Sequence, residues 1–158
     1  MELADKILLT SDLSSRLLYH PLCKLEGYDK PCKLISIEVD DIDGVLLDFV
    51  MENEDDTIQV YINEVKPYLR PMSSMTEDEE NVLFSLCRFY TEEDWEGKKR
   101  EAYGIEIASR PDPAYSYDNS FNLYGVDMGV IEWFNVNHFD YRGLIKQRLA
   151  LEAPQDMY

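Results

Sequence analysis

The chain has 158 residues, 45% of them hydrophobic, which is material for one ordinary domain, or two small subdomains sharing a core, and excludes a disordered polypeptide. Its 15 Lys and Arg stand against 32 Asp and Glu, a net charge of −17 that repels nucleic-acid phosphates and anionic lipid. Direct nucleic-acid binding and membrane association are therefore not expected, and basic partners are favoured.

The elements follow in chain order. Met1-Glu2-Leu3-Ala4-Asp5-Lys6 lacks the basic and long apolar regions of a signal peptide, so a cytoplasmic protein is expected. Ile7 to Leu18 reads as a short helix with Ile7, Leu8, Leu13, Leu17 and Leu18 as its apolar stripe. Thr10, Ser11 and Asp12 are alternative caps for a shorter helix, and Pro21 ends either version by disfavouring helical geometry at His20. A weak strand, Leu22 to Glu26, is expected at a sheet edge.

Three alternating stretches come next. Ile35, Ile37 and Val39 face one way while Ser36 and Glu38 face the other. Asp43-Gly44 is a hairpin signal, because both residues tolerate positive φ. Val45, Leu47 and Phe49 line the returning strand, Glu52 to Asp56 form an acidic loop, and Ile58, Val60 and Ile62 supply the third inward set. With a turn at Asn63 to Lys66 and the extended Tyr68-Leu69-Arg70, these strands suggest a small SH3-like antiparallel β-barrel.

A change of regime follows Met75. Thr76 and Glu79 match a capping box, and Val82, Leu83, Leu86, Cys87 and Tyr90 repeat at helical spacing, so a helix is expected from Thr76 to about Thr91. Glu92 to Arg100 is a charged connection or an extension of that helix, and Arg110-Pro111-Asp112-Pro113 breaks any regular element ahead of Tyr115, Tyr117 and Phe121 in a polar loop. A second helix is expected from Asp127 to about Asn137, and a third from Gly143 to about Leu151 with Leu144, Ile145 and Leu149 inward. The expectation is an α+β protein: one compact domain, 1–158, whose barrel region 1–75 precedes a helical region 76–158.

Two stretches resemble a known group. They are Asn63-Glu64-Val65-Lys66-Pro67-Tyr68-Leu69-Arg70-Pro71-Met72-Ser73-Ser74-Met75-Thr76-Glu77 and Asn137-His138-Phe139-Asp140-Tyr141-Arg142-Gly143-Leu144-Ile145, the latter continued by Leu149-Ala150-Leu151-Glu152-Ala153-Pro154. Both are similar to segments of uncharacterised small proteins of gut Bacteroidales and of their phages and integrated elements. The resemblance implies a cytoplasmic protein of a bacterium or phage, often encoded on mobile DNA, and implies no activity.

Chemistry is sparsely written. Cys23, Cys32 and Cys87 are odd in number and lack metal-site spacing, so reduced core thiols are expected and no metal or cofactor. Asp41-Ile42-Asp43-Gly44 fits part of a calcium loop, but alignment on Gly44 puts Val39 and Val50 at the first and twelfth positions, which need oxygen ligands. No glycine pattern cradles a phosphate. His138 and Asp140 are the one histidine–carboxylate pair close in sequence, readable as a general base or as a helix terminus at the negative end of the dipole.

Lys66, Tyr68 and Arg70 alternate on one extended segment, and with Tyr141, Arg142 and His138 they form a candidate ligand site for an anion plus a stacking base. The competing reading packs Tyr68 and pairs the cations with nearby acids. The expected function is a non-enzymatic binding protein with a groove where barrel meets helices, engaging a host protein or a small phosphorylated ligand. A DNA-mimicking inhibitor of a host nuclease or restriction enzyme is the alternative, suggested by acids concentrated in Glu38 to Asp56 and Glu77 to Asp94. An enzyme using His138 and Asp140 is the third.

Overall fold

The computed structural model describes residues 1–40, 44–51, 56–86 and 128–158. Helix α1 spans Leu3–Arg16 and continues into a 3-10 turn, Leu17–Tyr19. Its buried positions are Leu9, Asp12, Leu13 and Arg16, a three-four spacing that marks one helical face. Ile7 and Leu18, expected inward, are 62% and 83% exposed. The stripe is shifted because two of its four inward positions are polar, and a purely apolar reading cannot find them.

His20, in the left-handed region with φ 48°, turns the chain into the sheet. Its strands are β1 (Leu22–Leu25), β2 (Cys32–Asp40), β3 (Gly44–Met51), β4 (Thr57–Tyr61), β5 (Val65–Leu69) and β6 (Leu151–Glu152). They run in the order β4-β3-β2-β1-β5-β6, antiparallel except for the parallel pair β5 and β6.

The sheet is open and mixed, which corrects the expected SH3-like barrel. A barrel needs the two terminal strands to pair with each other. Here a 3-10 turn, Ile62–Glu64, separates β4 from β5, and β5 pairs with β1 on one side and β6 on the other. No strand among the described residues pairs with the far side of β4. Leu22–Leu25, expected at an edge, lies inside the sheet between β2 and β5.

The alternation of β3 and β4 holds, but that of β2 slips. Leu34 pairs with Phe49 and the next partnership is Ser36 with Asp48, so a bulge falls between them. Leu34 therefore joins the core, fully buried, while Ile35 is 36% exposed. Ile37 recovers the inward phase opposite Leu47, and Val39 is 74% exposed at the hairpin end of the strand.

The inner face of the sheet packs under α1. Cys23, Leu25, Cys32, Leu34, Leu47, Phe49, Ile62, Val65 and Leu69 form one core with Leu9 and Leu13 of the helix and Leu144, Leu149 and Ala150 from the C-terminal region. Cys23 and Cys32 are cross-strand partners, both buried and not joined in a disulfide. A second cluster joins Leu83 of α2 (Glu77–Leu86) to Val130 and Phe134 of α3 (Met128–Val136), with Phe139 and Tyr141.

Helix α2 starts at the expected capping box: the Thr76 N–H donates to Glu79 Oε2 at 2.8 Å and the Glu79 N–H to Thr76 Oγ1 at 3.3 Å. Helix α3 falls where expected. The third helix does not form. Arg148 is left-handed at φ 63°, its N–H donates to the Ile145 carbonyl and the Leu149 N–H to the Leu144 carbonyl, each at 3.0 Å, which closes the run after about one turn. The residues expected inward, Leu144 and Leu149, are nonetheless buried.

Asp41 to Asp43, Glu52 to Asp55, the extension of α2 to Thr91 with Cys87 and Tyr90, the connection Glu92 to Arg100 and the loop with Tyr115, Tyr117 and Phe121 lie outside the described residues. Among the described residues no helix is long and apolar enough to cross a membrane.

Candidate functional site

The strand β5 alternates Val65, Pro67 and Leu69 inward with Lys66 and Tyr68 outward. Lys66 and Tyr68 thus share a side, while Arg70 lies beyond the strand's last residue. The ladder adds residues the spacing does not show. Lys24 of β1 is the cross-strand partner of Lys66, and Lys33 of β2 is the partner of Leu22. Directly paired residues project to the same face, so Lys24, Lys33, Lys66 and Tyr68 gather on the outer face of the sheet.

Two ammonium groups held directly opposite each other repel. Lys33 and Lys66 are exposed. Among the described residues none of the three lysines forms an ion pair. Lys24 Nζ donates instead to the Tyr28 carbonyl. Tyr68 is half-buried, and its carbonyl accepts a hydrogen bond from the Tyr158 hydroxyl at 3.0 Å. In a chain of net charge −17, this is a local concentration of unneutralised cations beside an aromatic ring.

Arg70 leaves that group. Its two terminal nitrogens reach Glu79 Oε1 and Oε2 at 2.7 and 2.9 Å, and its guanidinium lies 4.2 Å from the Phe139 ring centre. The Glu79 carboxyl is held below its ordinary range, chiefly by these bonds and further by the Thr76 N–H. Arg70 therefore ties the end of the sheet to the first turn of α2, the outcome that ion pairing with nearby acids predicts.

His138 and Asp140 are not hydrogen-bonded to each other. Asp140 spends both oxygens on the Leu144 and Ile145 amides, while burial pushes its pKa upward. His138 terminates α3, as one reading expects, but through its backbone. It is left-handed at φ 56°, its N–H donates to the Asn135 carbonyl at 3.2 Å, and the Phe139 N–H donates to the Phe134 carbonyl at 3.0 Å. That is a Schellman motif, completed by the edge-on contact of Phe134 with Phe139. The imidazole stacks 3.9 Å from the Tyr158 ring and is buried, and among the described residues Nδ1 has no hydrogen-bond partner. Burial, then the charges of Arg16 and Arg70, lower its pKa to about 4, so the ring is neutral near pH 7 and gives no charge to the helix dipole.

Tyr141 and Arg142 are structural. Tyr141 is fully buried and stacked on Phe134 at 5.3 Å, with the guanidinium groups of Arg16 and Arg142 each 5.3 Å from its ring. Arg142 Nε donates to the Tyr141 hydroxyl at 3.1 Å and Nη1 to Ser11 Oγ at 2.9 Å. Between α1 and α3, Ser11, Asp12 and Arg16 thus meet Phe134, Phe139, Tyr141 and Arg142 in one polar cluster.

The centre of that cluster is a pair that sequence reasoning missed. Arg16 Nε and Nη2 donate to Asp12 Oδ2 and Oδ1 at 2.8 and 3.1 Å, with both side chains fully buried. Arg16 Nη2 also donates to the Phe139 carbonyl at 2.7 Å, and Nη1 to that of Phe134 at 3.4 Å. The signal was available: Asp12 and Arg16 sit four apart, in phase with Leu9 and Leu13.

Among the described residues no group of three or more His, Cys, Asp and Glu side chains is placed to hold a metal ion. No protein-family model, curated protein or solved structure matches the chain.

Proposed function

We propose that this chain is a non-enzymatic binding protein whose outer sheet face takes a small phosphorylated ligand. Lys24, Lys33 and Lys66 supply the anion contacts, and Tyr68 supplies a surface on which a planar group stacks. The observation that carries the reading is the Lys24–Lys66 pair, which the ladder places face to face with no carboxylate between them. Such a pair costs stability in the free protein, and a bound phosphate removes the repulsion. The resemblance to proteins of Bacteroidales and their phages fits an accessory factor acting in a bacterial cytoplasm.

Adenosine 5′-monophosphate is the probe, with adenosine and inorganic phosphate as controls, followed by amide chemical shifts and calorimetry. Binding is expected to perturb Lys24, Lys33, Lys66 and Tyr68 and to weaken with salt. The variant carrying Lys24→Gln and Lys66→Gln is expected to lose at least about tenfold in affinity while its thermal stability holds or rises. Absence of any shift at these residues at about 10 mM nucleotide, a Kd weaker than roughly 3 kcal/mol of binding, refutes the proposal.

A further inference from the structure

The far side of β4 carries a second recognition surface, independent of the lysine face. Thr57–Tyr61 is an edge strand of sequence Thr-Ile-Gln-Val-Tyr, with no charge and no proline in it. Natural edges are ordinarily blunted by such residues, by bulges or by a covering element. The ladder with β3 is regular along its whole length. The direction of its free backbone groups follows from one bond: the Tyr61 N–H donates to Glu64 Oε2 at 2.9 Å, so it points away from β3. Amides two and four residues earlier share that direction, which turns the N–H and C=O groups of Gln59 and Thr57 outward. Among the described residues nothing pairs with them.

The surroundings identify the occupant. Neither β3 nor β4 contains a Lys or Arg. Asp48 lies opposite Gln59 and accepts its Nε2–H at 2.9 Å, Glu38 lies one strand further on opposite Leu46, and Asp56 and Glu64 flank the edge at either end. On the inner face Ile58 and Val60 are only half-buried at the margin of the main core. A second copy meeting this edge brings another net charge of −17 and its own Asp56 and Glu64 against these carboxylates. We infer that β4 accepts an extended basic peptide as an added strand, with lysine or arginine on the acidic outer face and aliphatic side chains covering Ile58 and Val60.

The probe is a short blocked peptide alternating lysine and valine, with a glutamate–valine peptide as control, read by amide hydrogen exchange on the full chain. The basic peptide is expected to slow exchange of Thr57 and Gln59 about tenfold or more, while the acidic one leaves them unchanged. Gln59→Pro removes the outward donor and keeps the backbone pairing with β3, though it also loses the side-chain bond to Asp48. It is expected to weaken binding by about tenfold, and Gln59→Ala, which loses only that side-chain bond, is expected to bind as the parent does. Asp48→Asn with Glu64→Gln keeps the strand and its hydrogen-bonding groups, and is expected to weaken it and flatten its salt dependence. Protection that appears with protein concentration alone, together with a doubled native mass, assigns the edge to a second copy and overturns the inference. Equal response to both peptides, or protection confined to Lys24 and Lys66, overturns it as well.

Discussion

Replacing Asp12 by Ala tests whether the junction of α1 and α3 is held by a desolvated ion pair. The Asp12 carboxylate receives two Arg16 nitrogens at 2.8 and 3.1 Å and lies 3.5 Å from Arg142 Nε. Asp12 and Arg16 are both 0% exposed, so water cannot take the place of the lost carboxylate. Among the described residues the Arg16 guanidinium keeps the Phe139 and Phe134 carbonyls and the face of the Tyr141 ring, which solvate a full charge poorly. Breaking one side of a buried pair costs about 3–5 kcal/mol. For a chain of this size that is a fall of roughly 10–15 °C in Tm, and a large share of total stability.

The companion variant separates charge from packing. Asp12→Leu with Arg16→Met removes both charges and leaves the Phe139 carbonyl without its 2.7 Å donor, a cost of about 1–3 kcal/mol. The double variant is therefore expected to be more stable than Asp12→Ala, although it changes more atoms. Urea unfolding and calorimetry measure both. A single-variant cost under about 1 kcal/mol, the range of solvated pairs, refutes the reasoning, as does a double variant less stable than the single one.

Two further outcomes follow from the cap of α3. The folded His138 pKa of about 4 lies below the ordinary 6.5, so the unfolded chain takes up a proton that the folded chain refuses. Stability is expected to fall by about 3 kcal/mol as pH drops from about 6.5 to about 4, and to be flat above that window. Asp140, with its pKa raised, opposes the fall at the lower end. An imidazole NMR titration near 6.5, or an unchanged pH profile in His138→Asn, is the refuting result. Tyr158→Ala opens the stacked face of the imidazole to water and removes the acceptor of the Leu22 N–H at 3.1 Å. The His138 pKa is expected to rise toward 6.5 and stability to fall by about 1–2 kcal/mol, so an unmoved titration shows that Tyr158 does not shield the ring.

What the sequence makes legible here is what one segment decides by itself. The capping box at Thr76 and Glu79, the alternation of β3, β4 and β5 and the placement of α3 all rest on residues within one turn or strand. What escapes depends on a second segment. The bulge after Leu34 is fixed by the pairing of β2 with β3, and β1 is interior only because β5 returns to it. Gly143 to Leu151 has helical spacing, yet Leu151 and Glu152 pair with β5, and the chain leaves the helical path at the left-handed Arg148. The candidate site divides the same way. Lys66 and Tyr68 are visible in their own strand, whereas Lys24 and Lys33 join them by register alone, and Arg70 departs because α2 presents Glu79.

The sheet thereby assigns its two faces different tasks. Its inner face is committed to stability, since α1 and the C-terminal residues bury it and the polar groups at that margin are engaged with one another. The outer face is sorted by charge, with Lys24, Lys33 and Lys66 across β1, β2 and β5, and Glu38 and Asp48 toward β3 and β4. Intermixing these charges on neighbouring strands gives cross-strand attraction, so the observed separation forgoes stabilisation. On the two proposals made above, that separation would give an anion and a cation distinct places to dock on one surface. The phosphate reading and the basic-strand reading therefore fail independently: neutralising Lys24 and Lys66 leaves the β4 edge intact, and blocking Gln59 leaves the lysine face intact.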